Sequence, residues 1–77
     1  MASPIKVIVT GAAGRMGKRL VALVHESSNL QLSGATEAEG HTDLGKDAGD
    51  LAGCGNLGIS LIHDLPSLLS EADVVVD

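Results

Sequence analysis

Seventy-seven residues suffice for one small domain, and its core must be aliphatic because the chain contains no Phe, Tyr or Trp. The missing aromatics remove the platforms on which single-stranded bases stack, and a net charge of −5 opposes a phosphate backbone, so nucleic acid is not expected as a partner. Cys54 is the one cysteine, which excludes an internal disulfide and a cysteine-rich zinc site.

Ile5 to Thr10 is mostly β-branched and reads as a buried parallel strand, with Pro4 marking its entry. The strand runs into Gly11-Ala12-Ala13-Gly14-Arg15-Met16-Gly17, three glycines spaced G-x-x-G-x-x-G, and a helical pattern starts at once. Such a join aims the end of a strand at the start of a helix, where unpaired N–H groups and the helix dipole can meet a diphosphate. Gly11 is expected to permit the tight turn, Gly14 to let main chain approach the phosphates, and Gly17 to let helix and strand pack closely.

The helix is expected from Gly14 or Arg15 to about Ser27, with Met16, Leu20, Leu23, Val24 and Ser27 inward and Lys18, Arg19, His25 and Glu26 toward solvent. Ser27-Ser28-Asn29 stops it. Leu30 to Thr36 follows as a second strand, alternating Leu30, Leu32 and Gly34 against Gln31, Ser33 and Ala35. Glu37 ends this strand twenty residues after Gly17, where dinucleotide folds place an acid that accepts hydrogen bonds from the adenosine ribose hydroxyls.

Residues 37–58 hold six of the ten glycines and half of the ten acidic residues, and read as loop with a turn or two of helix around Lys46 to Leu51. Ile59 to Ile62 is a short strand. Asp64 is placed to cap a helix over Leu65 to Glu71, with Pro66 in its first turn. Asp73 to Asp77 begins another buried strand. The fold class is therefore α/β: a Rossmann-like parallel sheet of about four strands and two main helices, the first half of a doubly wound dinucleotide-binding domain, with one sheet edge open.

Other chemistry is poorly supported. A Walker-type loop would need glycine where Ala12 stands and a hydroxyl where Arg19 stands. A calcium loop from Asp43 fails at Ala48 and Cys54. His25, His41 and the adjacent His63-Asp64 read as solvated or capping positions, and Cys54 as a loop thiol far in sequence from any positive cluster. No residue of the chain is expected to be catalytic or to bind a metal.

The run Ile8 to Leu20, IVTGAAGRMGKRL, resembles the opening of the 4-hydroxy-tetrahydrodipicolinate reductase family. The likeness continues through Gly34-Ala35-Thr36-Glu37, through Gly45 to Gly53 as a G-x-D-x-G-x-L-A-G loop, and into Val74-Val75-Val76-Asp77. It implies a nicotinamide-dependent reductase of lysine and diaminopimelate biosynthesis that reduces a cyclic imine dicarboxylate. By that likeness Gly11, Ala12, Ala13, Gly14, Arg15 and Met16 wrap the cofactor diphosphate and Glu37 holds the adenosine ribose. The family often has an arginine after this acid, which pairs with the 2′-phosphate of NADPH. Ala38 stands there, which favours NADH and leaves Arg15 and His41 as cationic candidates for that phosphate.

The family's nicotinamide loop, its His-His-x-x-Lys segment and its tetramer-forming sheet have no counterpart in these residues. Residues 1–77 are thus expected to be a partial dinucleotide-binding domain, inactive alone, from a homo-oligomer that is tetrameric at full length. Another NAD(P)-dependent dehydrogenase and a non-catalytic NAD-binding module are the alternatives. No run approaches the roughly 18 apolar residues of a membrane span, and residues 1–6 lack a secretory pattern, so a soluble, cytoplasmic protein is expected.

Overall fold

The central strand is β1, Ile5–Val9, whose last three side chains are almost wholly buried. The computed structural model describes residues 3–76. β-branched side chains on both faces suit a strand covered from both sides, and β1 lies between two parallel neighbours. Helix α1 (Arg15–Glu26) leads to β2 (Leu30–Thr36), a short α2 (Ala48–Ala52) to β3 (Leu61–Ile62), and a 3-10 segment (Leu65–Glu71) to β4 (Val74–Val76). The sheet order is β3-β2-β1-β4, all parallel, as in one half of a doubly wound Rossmann-like sheet.

The side of α1 that faces the sheet differs from expectation. Gly17, Val21 and Val24 are buried and Leu20 is half-buried, whereas Met16 is 64% and Leu23 60% exposed. Gly17 explains the rotation. A Cβ there would overlap the carbonyl oxygen of Gly11 and lie 2.6 Å from the Cα of Ala12, so the helix touches the preceding turn through this residue. Val21 and Val24, one and two turns on, follow it into the core. Ser27, expected inward, is a half-buried C-cap whose N–H bonds to the carbonyls of Leu23 and Val24.

β2 departs from simple alternation. Val7 pairs with Leu32 but Ile8 pairs with Gly34, which leaves Ser33 as an extra residue. Its hydroxyl donates to the carbonyl of Val7 at 3.3 Å. This bulge switches the faces beyond it. Ala35 joins Leu30 and Leu32 in the core under α1, while Gly34 turns to the opposite face beside Ile8 and Leu68 of the 3-10 segment. The sheet is thus covered by α1 and α2 on one side and by the β3–β4 connection on the other.

Three later expectations also change. The third strand begins at Leu61 rather than Ile59, because Ile59 and Ser60 pair with Asp47 and Ala48 instead of the sheet. Residues 65–71 form a 3-10 helix, and Asp64 caps it with its backbone: its carbonyl accepts from the N–H and hydroxyl of Ser67, while its side chain makes no cap bond. Val74 and Val75 are exposed rather than buried, since β4 is the outer strand of the sheet. Asp77 lies outside the described residues.

Candidate functional site at the mouth of the first helix

The carboxyl ends of β1, β2 and β4 meet beside the start of α1, and three backbone links shape the turn between β1 and α1. Thr10 N–H donates to Val76 O at the end of β4 (2.9 Å), and Ala12 N–H donates to Thr36 O at the end of β2 (3.0 Å). Within the turn, Gly14 N–H donates to Gly11 O (3.0 Å). Gly11 takes φ +61°, a conformation that L side chains adopt at a cost of about 1–2 kcal/mol.

Glu37 supplies a fourth link. Its Oε2 accepts from Ala13 N–H at 3.0 Å and its Oε1 from Ala38 N–H at 3.1 Å. The two expected halves of the site, the glycine turn and the acid at the end of β2, are therefore in direct contact. Among the described residues, the amides of Ala12, Ala13 and Gly14 are committed to protein acceptors, and those of Arg15 and Met16 are not. Both of the latter residues are exposed, in the first turn of α1, where the helix dipole favours an anion. Arg15, Met16, Lys18 and Arg19 line a shallow depression of about 470 Å³ on that turn. Gly14, the N-cap, makes no side-chain cap bond, so no carboxylate or hydroxyl of its own blocks the helix mouth.

The loop after Glu37 is held by contacts of its own. His41 Nδ1 accepts from Asp43 N–H (3.0 Å), and Lys46 Nζ lies 2.9 Å from Asp43 Oδ1. That bond holds the Asp43 carboxyl below its usual range despite some desolvation, with the charges of Lys46, His41 and Lys18 adding to it.

Asp47 is the residue that sequence reasoning missed. Its carboxylate accepts from the N–H groups of Asp50 (3.0 Å), Leu57 (2.9 Å) and Ile59 (2.8 Å). Partial burial disfavours its charge, but the N–H bonds from Leu57, Ile59, Asp50 and Gly49 outweigh this and lower its pKa. It is at once the N-cap of α2 and the hub that folds residues 53–59 back on that helix, whose end is capped by Gly53. An Asp before a short apolar helix is a capping signal, and its presence could have been read. The Gly45 to Gly53 loop thus has a structural explanation in Asp47.

The remaining candidates lie apart. His63 and Asp64 are exposed, and the Cys54 sulfur sits 4.0 Å from the carbonyl of Ala52 in the turn after α2. A second cavity, of about 280 Å³, is lined by Val24, Leu30, Leu57 and Ile59 at the amino end of β2, away from the glycine turn. Among the described residues no helix is long and apolar enough to cross a membrane.

Comparison with known proteins agrees with this architecture. The profile of the family described as "Dihydrodipicolinate reductase, N-terminus" matches residues 5–77. A protein of Anaeromyxobacter dehalogenans named 4-hydroxy-tetrahydrodipicolinate reductase is 53% identical over 72 residues, covering 94% of this chain and 27% of that protein. Proteins of the same name from Geotalea daltonii and Parvibaculum lavamentivorans are each 45% identical, over 95% and 100% of this chain and 27% and 29% of their own lengths. The chain thus spans under a third of the length of these relatives. With the parallel sheet, the glycine turn and the acid at the end of β2 in place, the chain belongs to the dihydrodipicolinate reductase N-terminal family.

Proposed function

We propose that this chain binds NADH for a reductase of the kind its relatives are named for, 4-hydroxy-tetrahydrodipicolinate reductase. Gly11, Ala12, Ala13, Gly14, Arg15 and Met16 wrap the diphosphate, the amides of Arg15 and Met16 donating to it, and Glu37 accepts from the adenosine ribose hydroxyls. The observation that supports this reading is the 3.0 Å contact between Glu37 and Ala13, which brings the carboxylate at the end of β2 beside the start of α1. A carboxylate has about four lone-pair sites, and the two bonds to Ala13 and Ala38 leave room on each oxygen for a hydroxyl.

When bound, the nicotinamide supplies hydride to the carbon of a cyclic imine dicarboxylate. The residues of this chain position the dinucleotide, and the substrate and proton-donor groups lie outside the 77 residues. In this reading the complete protein is a cytoplasmic homo-tetramer in lysine and diaminopimelate biosynthesis, and residues 1–77 alone have no reductase activity.

Cofactor choice follows from charge. A 2′-phosphate would face the Glu37 carboxylate with Ala38, a side chain without charge, beside it. Calorimetric titration of the intact protein should give tighter binding of NADH than of NADPH. A dissociation constant for NADPH about tenfold below that for NADH, or 1.4 kcal/mol, would overturn the preference. Binding of neither cofactor would overturn the reading as a whole.

A further inference from the structure

We infer that Glu37 is also a positioning residue for the glycine turn, acting on the diphosphate subsite through Ala13 as well as on the ribose directly. This rests on the function proposed above. Thr36 and Glu37, adjacent at the end of β2, hold the adjacent amides of the turn: Thr36 O takes Ala12 N–H and Glu37 Oε2 takes Ala13 N–H, each at 3.0 Å. The carboxylate is itself held, because its other oxygen is bonded to Ala38 N–H at 3.1 Å. The two peptide planes on either side of Ala12 are therefore anchored to the last residue of β2 and the residue after it.

Ala12 and Ala13 lie inside the turn closed by the Gly14 N–H bond to Gly11 O, and Gly14 is the N-cap from which Arg15 and Met16 follow. Fixing the Ala13 N–H thus fixes the path into the first turn of α1, whose amides face the anion. Without an acceptor at residue 37, the Ala13 amide must turn to water, and the peptide planes before Gly14 lose one of their two external anchors. A hydrogen bond with one charged partner is strong enough for its loss to show in affinity.

The two tasks of Glu37 separate with a nucleotide that lacks ribose hydroxyls. The probes are ADP and 2′,3′-dideoxyadenosine 5′-diphosphate, titrated into the intact protein and its Glu37→Gln and Glu37→Ala variants. Both variants are neutral, so relief of repulsion between carboxylate and diphosphate is common to them. They differ in the acceptor offered to Ala13, which the glutamine carbonyl retains. The dideoxy nucleotide should bind about tenfold more weakly to Glu37→Ala than to Glu37→Gln. Equal affinity of the two variants for it would overturn the positioning role while leaving the ribose role intact. If the unsubstituted protein binds neither nucleotide, the functional reading fails and this inference fails with it. Amide exchange in the unsubstituted protein decides the matter even if Glu37→Ala does not fold. Ala13 should be protected and Arg15 and Met16 should exchange fast, and equal rates at the three sites would overturn the inference.

Discussion

At Gly17 a single hydrogen atom in place of a methyl group decides how α1 meets the sheet. Substitution by alanine forces a Cβ onto the backbone of Gly11 and Ala12, which cannot yield as a flexible side chain would. Overpacking of this kind costs about 1–3 kcal/mol, and Gly17→Ala should lower the urea midpoint accordingly and displace the Ala12 and Ala13 amide resonances. An unchanged midpoint would show that the helix can slide away at no cost. Asp47 is the second position where one side chain governs much backbone. Asp47→Ala strands the N–H donors of Asp50, Leu57 and Ile59, and half-burial limits how well water can replace the carboxylate. A loss of about 2 kcal/mol is expected by chemical denaturation. A variant as stable as the parent would remove Asp47 from its role as hub.

The segment that Asp47 holds, residues 53–59, should also respond to acid as an element. The folded-state pKa of Asp47 lies below its unfolded value, so its contribution is complete above about pH 4 and is lost as pH falls through the lower, folded value. Amide exchange at Leu57 and Ile59 should accelerate in that window, after correction for intrinsic rates, while β1 stays protected; parallel loss of protection in both would mean global unfolding instead. Element boundaries within residues 5–36 were largely legible in the chain, whereas the short helix expected around Lys46 to Leu51 runs from Ala48 to Ala52. Ile5, Arg15, Leu30 and Thr36 bound their elements where β-branched runs, glycines and stop signals place them. The positions of Glu37 and of the turn were also legible, because the end of a strand and a glycine turn are set by local spacing. Orientation was less legible. Met16 and Leu23 are apolar at helical spacing, yet Gly17, which has no hydropathy signal, turns them outward. The bulge at Ser33 leaves composition unchanged while reversing Gly34 and Ala35. Ile59 has the look of a sheet residue, but the carboxylate of Asp47, twelve positions earlier, claims its N–H, a pairing that no local pattern encodes.

For the whole molecule, stability should be graded outward from β1. Val7, Ile8 and Val9 are covered on both faces and flanked by β2 and β4, whereas β3 has two residues and the 3-10 segment has none buried. Native-state exchange should therefore place the slowest amides in β1, opening only with global unfolding, and faster ones in Leu61–Ile62 and residues 65–71. The reverse order would contradict a core centred on this strand. The strand order has one more consequence. Thr10 leans on Val76 and Ala12 on Thr36, so the turn proposed to hold the nucleotide is braced by segments far apart in the chain. A ribosome that has released every glycine of the turn, and Glu37 as well, still presents a cradle missing one wall. If the turn holds the dinucleotide as proposed, competence to do so arrives only once Val74–Val76 have emerged and docked, and a fluorescent nucleotide applied to stalled nascent chains should stay dark until that length is reached.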